Sequence, residues 1–419
     1  MADKAAEAAA RHLRAGTLNL SALPPLSLYV HLPWCLKKCP YCDFNSHELK
    51  GQASAAAPAG LRLDAGTEQR YLDALCADLE AALPLVWGRR VGSVFIGGGT
   101  PSLFSPAGIE RLLADVRARL PLEPGCEITM EANPGTFEAQ RFRAFRDAGV
   151  TRLSIGVQSF DDAALQRIGR VHDAAQARAA VAEAREAFET FNIDLMYALP
   201  KQTLADLERD LATALSFSPP HLSVYHLTLE PNTWFATHPP PLPDEDLASD
   251  MLDLIVDRTA AAGLRRYEVS AFAREGHACR HNLNYWQFGD YLGIGAGAHG
   301  KLSFAHRVLR QVRWREPQRY LQQALAGQAV SNEHEVRREA LTFEFMLNAL
   351  RLRQGFEMAD YTTRTGLLPA VAEPGLLEAE RRGWLTLQRD AIGRIVQAQP
   401  TARGFDFLSD VQSLFLAEG

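Results

Sequence analysis

The stretch Leu28-Tyr29-Val30-His31-Leu32-Pro33-Trp34-Cys35-Leu36-Lys37-Lys38-Cys39-Pro40-Tyr41-Cys42-Asp43-Phe44 carries a short apolar strand directly into three cysteines. Iron–sulfur cubes of the ferredoxin type take four thiolates. The spacing Cys-x3-Cys-x2-Cys therefore suggests a cube with one iron left to a ligand that is not protein. Structural zinc is the competing reading, but it wants four ligands. His31 and His47 flank the loop and could supply the fourth. The triplet alone specifies a metal or cluster site and leaves the choice open.

The same pattern of short apolar strand, turn and amphipathic helix repeats outward from this loop. Expected strands are Leu28–Leu32, Gly92–Ile96, Glu127–Glu131, Arg152–Val157, Asn192–Met196 and Leu222–Leu227, with helices between them over 68–83, 106–120, 138–148, 174–188 and 204–216. Ser105-Pro106 is a start signal, Ser as N-cap and Pro at the first helical position. Six strands alternating with helices imply a parallel sheet covered by helices, either open or closed as a (β/α) barrel. In both, chemistry sits at the C-terminal ends of the strands. Those ends are polar or Gly-rich here: the cysteine loop, Gly97-Gly98-Gly99-Thr100-Pro101, Glu131-Ala132-Asn133-Pro134, Gln158-Ser159, Asp194 with Tyr197, and Tyr225-His226 leading to Glu230. A distinct polar set at every strand end, beside a cysteine loop, favours one shared site.

The 419 residues suffice for a large catalytic domain and a smaller one. A hydrophobic fraction of 47%, a charged fraction of 22% and a net charge of −6 describe a globular enzyme with no electrostatic case for nucleic acid. Six cysteines make no disulfide framework and suit a reducing cytosol. No apolar run approaches the length of a membrane span, so a cytoplasmic location is expected, with peripheral membrane contact left open. Residues 49–66 read as a mobile loop and His238-Pro239-Pro240-Pro241 closes the repeating region. Beyond it, helices are expected near 247–262, 333–352 and 376–382, with a hairpin pairing 384–387 and 394–396. That order suggests a small winged-helix-like domain.

Other constellations carry weaker signals. Three consecutive glycines at 97–99 allow close backbone approach to a ligand, although an isolated triplet is more often a structural turn. Gly295 to Gly300 spells G-x-G-x-x-G without the βαβ setting that a dinucleotide fingerprint needs. His281-Asn282-Leu283-Asn284-Tyr285-Trp286 could place a His on haem iron beside stacking rings; by chemistry alone, packing at a domain seam accounts for it better. The basic run from His306 through Arg319 could receive carboxylates such as porphyrin propionates, but reads better as a solvated helix face. Cys76, Cys126 and Cys279 read as small buried hydrophobes, with a minor role open for Cys279.

Taken together, Tyr29-Val30-His31-Leu32-Pro33-Trp34-Cys35-x3-Cys39-x2-Cys42, the Gly97–Pro101 run and the segments at 131–134, 154–160 and 194–200 resemble the radical S-adenosylmethionine (SAM) superfamily. More narrowly they resemble its HemN/HemW group of oxygen-independent coproporphyrinogen III oxidases and haem chaperones, over roughly residues 26–410. The resemblance implies an α/β fold, a partial (β/α)6 TIM-type radical SAM barrel with a small C-terminal winged-helix-like α+β domain. It implies a flexible segment over 1–25, the barrel over 26–240, an extension over 241–330 and a HemN-type domain over 331–419. Cys35, Cys39 and Cys42 would hold a [4Fe–4S] cluster, and Tyr29, Gly98, Gly99, Thr100, Glu131, Gln158, Arg170 and Asp194 would line the SAM site. In this superfamily the reduced cluster cleaves SAM to methionine and a 5′-deoxyadenosyl radical. The oxidases carry a fourth cysteine two places after the third, where this chain has Phe44. The segment His281-Asn282-x-x-Tyr285-Trp286 matches a pattern associated with the chaperones. The resemblance thus implies haem as a third ligand, His281, Asn282, Tyr285 and Trp286 as its binding candidates, and acceptor haemoproteins as partners. Decarboxylation of coproporphyrinogen III is the alternative.

Overall fold

The computed structural model describes residues 15–49, 63–136 and 139–416; residues 50–62 of the expected loop over 49–66 lie outside them, and 65–66 already belong to a helix. All six expected strands form, in order: β1 (Leu26–Leu32), β2 (Val91–Gly98), β3 (Leu122–Ala132), β4 (Arg152–Gln158), β5 (Thr190–Tyr197) and β6 (His221–His226). They lie side by side in that sequence and are parallel throughout. The intervening helices are α1 (Ala65–Ala82), α2 (Pro106–Arg119), α3 (Ala139–Asp147), α4 (Ala174–Ala187) and α5 (Leu204–Ser216). Their starts are written in the sequence. Ser105 accepts from the Gly108 N–H with Pro106 behind it, and Asp173 with Gln176 makes a capping box, as does Thr203 with Asp206.

Successive strand residues point to opposite faces, and that alternation builds two different surfaces. Leu26, Leu28, Val30 and Leu32 of β1, Ile128 and Met130 of β3, and Phe191, Ile193 and Leu195 of β5 all belong to the main hydrophobic core beneath the helices. Burying such side chains stabilises the fold by about 1.5–3 kcal/mol each. The intervening residues face a polar lumen: Ser27, Tyr29 and His31; Ser93 and Phe95; Glu127, Thr129 and Glu131; Arg152 and Ser154; Asn192 and Asp194. They bond to one another across strands: Ser27 Oγ to Ser93 Oγ at 2.7 Å, Asn192 Nδ2 to Ser154 Oγ at 2.8 Å, Ser154 Oγ to Asp194 Oδ2 at 3.0 Å.

The sheet does not stop at six strands. After α6 (Glu245–Ala261) it gains β7 (Arg265–Arg266) and β8 (Ala271–Ala273) beside β6. Past the short helix α7 (Arg280–Trp286), β9 (Asp290–Ile294) pairs in parallel with β1. An antiparallel run then follows, made of β10 (His299–Phe304), β11 (Arg307–Arg313) and β12 (Val330–Glu335), with α8 (Pro317–Leu325) between the last two. The whole is a twelve-stranded sheet. Two sequence expectations fail here. The basic run at 306–319 is largely strand rather than a solvated helix face, and Arg313 is buried with its Nε 3.3 Å from Asp78 Oδ1. The helix expected over 333–352 begins only at Leu341, because 330–335 forms β12.

The C-terminal unit has its own core around Phe345, Met346, Tyr361, Leu376 and Leu385. It comprises α9 (Leu341–Ala349), β13 (Phe356–Glu357), α10 (Met358–Thr365), α11 (Glu373–Arg381) and the expected hairpin β14 (Leu385–Arg389) and β15 (Ile395–Pro400). Its three strands form a separate sheet in the order β13-β15-β14. Leu18 and Leu20 also pack into this second core, their N–H groups bonded to His306 O and Ala305 O. No helix among the described residues is long and apolar enough to cross a membrane.

Candidate functional site

The cysteine loop sits where β1 ends. Its backbone is gathered by a Cys42 N–H to Cys39 O bond of 3.1 Å and by the pairing of 34–35 with 47–48. Two observations, one on His31 and one on the sulfurs, count against the zinc reading. Both ring nitrogens of His31 are occupied: Nε2 donates to Asn45 O at 2.9 Å, which leaves Nδ1 to accept from Tyr29 Oη at 2.7 Å. Burial accordingly pushes the His31 pKa down to about 4. In addition, the three sulfurs are not gathered within 4.8 Å of one another among the described residues, whereas thiolates on one tetrahedral zinc stand about 3.8 Å apart. Half-buried, well-spaced sulfurs at a strand end fit a cluster with an edge turned to another ligand.

Each sulfur has a polar neighbour: Ser46 Oγ lies 3.9 Å from Cys42 Sγ, and the other two sulfurs are met by a coupled pair. Thr100 Oγ1 donates to Cys35 Sγ at 3.5 Å, and Arg170 Nη1 lies 3.6 Å from Cys39 Sγ. Asn133 couples them: its Nδ2 donates to Thr100 Oγ1 at 2.9 Å and its Oδ1 accepts from Arg170 Nη2. Arg170 Nη2 also donates to Gly156 O at 2.7 Å. A side chain at Gly156 would run into Gln158 Nε2, Arg170 Nη2 and Asn133 Oδ1, all within 3.3 Å of the added carbon. Gln158 itself adopts φ +67°, a costly conformation for a side-chain-bearing residue. Leu36, Lys37, Cys39, Thr100, Asn133, Arg170 and Val171 line a small cavity over this group.

The glycines have a specific use. Gly98 has φ +125°, and a Cβ there would sit 2.7 Å from Leu32 O; at Gly99 it would sit 2.5 Å from Trp34 O. Their missing side chains let the end of β2 lie against the cysteine strand, through Gly99 N–H to Leu32 O (2.8 Å) and Thr100 N–H to Trp34 O (2.7 Å). Gly98 N–H also donates to Glu131 Oε2 at 3.0 Å. Deeper in the lumen, burial and the neighbouring Asp194 carboxyl push the Glu131 pKa up to about 8, and burial raises Asp194 as well. Tyr29 stands over this pair, stacked on Phe95 at 5.7 Å. The eight residues expected to line a SAM site thus share the upper lumen and strand ends around the cysteine loop.

Sequence reading missed the supports. Asn45 ties the cysteine loop to a distant part of the chain, donating to Ala296 O and Arg315 O, both at 2.9 Å. Beneath, Asp78 on α1 accepts from Gly295 N–H (3.2 Å), Tyr320 Oη (3.0 Å) and Arg313 Nε (3.3 Å), all of it buried. The Gly295–Gly300 run, set aside as a false fingerprint, is the loop these groups hold.

The segment 281–286 lies elsewhere, on α7 across the lower lumen. His281 is 6% exposed, its ring stacked on Phe95 at 4.2 Å, Nδ1 3.3 Å from Glu127 Oε1 and 3.0 Å from Cys279 Sγ. Burial lowers its pKa, so the ring is neutral near pH 7. Tyr285 packs on Tyr291 at 4.5 Å, and Arg351 lies over the Trp286 ring at 4.2 Å. Asn282 is half-buried beside them. Trp286 and Gln287 open onto a cavity of about 290 Å³ shared with Phe345, Leu352, Phe356 and Asp360 of the C-terminal unit.

Comparisons with known proteins agree with this architecture. Residues 29–214 match the model of the radical SAM superfamily, and 336–393 match that of the HemN C-terminal domain. The chain is 46% identical to a protein named heme chaperone HemW from Escherichia coli K12, over 94% of this chain and 99% of that one. It is 34% identical to a Bacillus subtilis protein of the same name, over 88% and 97%. Among solved structures, E. coli coproporphyrinogen III oxidase (HemN), described as a radical SAM enzyme, superposes with a TM-score of 0.76 at 25% identity, covering 94% of this chain and 90% of that one.

Proposed function

The chain belongs to the radical SAM superfamily, in its HemN/HemW group, and from that premise we propose that it is a haem chaperone that binds haem and hands it to acceptor haemoproteins. The observation that carries the reading is the 46% identity to a heme chaperone HemW along nearly the full length of both chains, against 25% to the HemN oxidase. Phe44 supports it. The position where the oxidases have a further cysteine is here a phenylalanine 58% exposed at the rim of the cysteine loop.

Cys35, Cys39 and Cys42 would hold the [4Fe–4S] cluster, with Tyr29, Gly98, Gly99, Thr100, Glu131, Gln158, Arg170 and Asp194 receiving SAM at its open side. When bound, this pair supplies one-electron chemistry. The protein's own part is to donate to the sulfurs through Thr100 and Arg170, and to present the buried carboxyls of Glu131 and Asp194 to the ammonium and hydroxyl donors of SAM. For haem we propose α7. Trp286 and the cavity beside it offer an apolar wall, and His281 offers a neutral imidazole for iron. In the arrangement seen, the His281 ring is buried between Phe95 and Cys279, so ligation by His281 requires α7 to move away from β2 and β3.

The test uses full-length protein reconstituted anaerobically with its cluster. Haem titration should show saturable binding that is lost or sharply weakened in His281→Ala, and incubation with SAM, reductant and coproporphyrinogen III should form no vinyl product. Vinyl product at catalytic rates would assign the chain to the oxidases instead. Cys39→Ser should lose the cluster absorbance.

A further inference from the structure

In the arrangement seen, neither ring nitrogen of His281 is open to iron. Nδ1 lies 3.3 Å from Glu127 Oε1, Cys279 Sγ lies against the ring at 3.0 and 3.4 Å from its two nitrogens, and Phe95 stacks on it at 4.2 Å. We propose that Glu127 is a positioning residue for His281: a carboxylate clasp on the first turn of α7 that sets how often the helix swings open, and so how readily haem is taken up. The inference rests on haem ligation by His281, as proposed above, and adds the group that governs it.

The first N–H groups of a helix have no partner within it, and α7 brings no cap of its own, since Cys279 at the N-cap position makes no side-chain capping bond. Glu127 reaches across from β3 and takes that place. Its Oε1 accepts from Arg280 N–H at 3.0 Å and His281 N–H at 3.3 Å, while Oε2 faces Arg152 at 3.8 Å. Burial works against the charge, but the hydrogen bond from His281 and the Arg152 guanidinium hold the Glu127 pKa down to about 2, so the clasp is ionised near neutral pH.

The two ends of α7 are held differently. Just past its C-terminal end, Phe288 is 1% exposed in the second core and packs edge-on against Phe345 at 5.6 Å, and Gln287 O accepts from Arg364. The N-terminal end hangs on a few separate bonds. Besides those to Glu127, Arg280 Nη1 donates to Gly125 O at 2.9 Å, Cys279 N–H to Tyr267 Oη at 3.3 Å, and Arg152 Nη1 to His277 O at 3.1 Å. Gly276 in the chain leading in has φ +79° and open space where a side chain would stand. A swing about residues 287–289 therefore carries His281, at the free end, away from Phe95 and Glu127.

Haem that ligates His281 binds the open form alone, so its apparent affinity is the intrinsic affinity multiplied by the open fraction. Each hydrogen bond to a charged acceptor changes that fraction by about tenfold or more. Weakening the clasp should therefore tighten haem binding. Loss of a merely structural support would loosen it, so the sign of the change separates the two roles.

Two variants of the full-length protein, with its cluster reconstituted, test this. Arg280→Pro removes two of the bonds from the helix side; proline suits the first helical position, and the extended Cys279 before it accommodates one. Glu127→Asp draws the carboxylate back by one methylene and keeps the charge beside Arg152. Both should bind haem about tenfold more tightly than wild type, with the wild-type haem spectrum, and lose it when His281→Ala is added. In the absence of haem, iodoacetamide should label Cys279, which is 3% exposed, about tenfold faster in both, read by peptide mass spectrometry, with Cys76 on α1 labelled at an unchanged rate. Should Arg280→Pro not fold, Glu127→Asp carries both measurements. Wild type that binds haem beside variants that bind it equally or more weakly, or Cys279 labelling that does not change, overturns the clasp and leaves Glu127 a structural cap. Wild type that binds no haem overturns the chaperone reading, and the clasp falls with it.

Discussion

Asn45 donates from its side-chain amide to the carbonyl of Ala296 at 2.9 Å, joining two residues 251 positions apart. The same amide donates to Arg315 O, and Gly297 leaves no room for a Cβ against it, the added carbon falling 2.4 Å from Asn45 Nδ2. The loop that carries the cysteines is thus pinned from outside itself.

Asn45→Ala removes both bonds, worth about 1 kcal/mol each. Cluster assembly should survive, because the cysteines remain, but the loop should open more often. We expect several-fold faster bleaching of the cluster absorbance under an iron chelator, with unchanged iron content immediately after reconstitution. An unchanged rate would mean that the cysteines alone hold the loop.

Asn133 joins two of the groups on the sulfurs, Thr100 and Arg170. Donors to cluster sulfurs raise the reduction potential. Asn133→Ala should therefore lower it, on the order of 40 mV if about 1 kcal/mol of hydrogen bonding is lost. An EPR-monitored redox titration reads this directly.

Glu131 has its pKa raised from 4.5 to about 8 by burial and by Asp194. A folded-state value above the unfolded one gives a contribution fully present below about 4.5 and lost as the pH rises through 8. Ligand-free protein should lose stability over that window, and Glu131→Gln should flatten the loss. Denaturant midpoints at several pH values check it; equal slopes in both proteins would refute it.

Asp78 and Arg313 form a buried pair that also engages Tyr320 and Gly295. Removing one partner strands the other charge, at a cost of about 3–5 kcal/mol. Asp78→Ala should fall in that range by urea denaturation, whereas a double replacement of Asp78 and Arg313 by apolar residues of similar size should recover most of the loss.

The barrel was legible because each strand is short, apolar and followed by a helix with its own cap, as at Ser105-Pro106. The extra strands were not. Arg307, Arg310 and Arg313 recur every third residue, the spacing of a helix face, while their partners Glu335, Glu344 and Asp78 lie far away in sequence. The site was legible at its strand ends, where Thr100, Glu131, Gln158 and Asp194 stand out. Asn45 and Asp78 act through tertiary contacts that leave no local pattern, and Asn133, visible at its strand end, shows nothing in sequence of its link to Thr100 and Arg170. One signal was available: the alternate polar residues inside apolar strands, Ser27-x-Tyr29-x-His31 and Glu127-x-Thr129-x-Glu131, spell out the lumen. Cys279 reads as a buried small residue, and it is buried, but its sulfur faces Glu127 and His281 rather than hydrocarbon.

The position of β1 between β2 and β9 has a consequence for the order of events in the cell. The cysteines leave the ribosome well before residues 290–315, which supply one wall of their strand and both acceptors of Asn45. At about 5–20 residues per second, the 270 residues separating Asn45 from Arg315 take roughly 14–54 s to synthesise. Through that interval the cysteines are present without their finished seat, so a cluster held by them would find that seat only after residues 290–315 have been made.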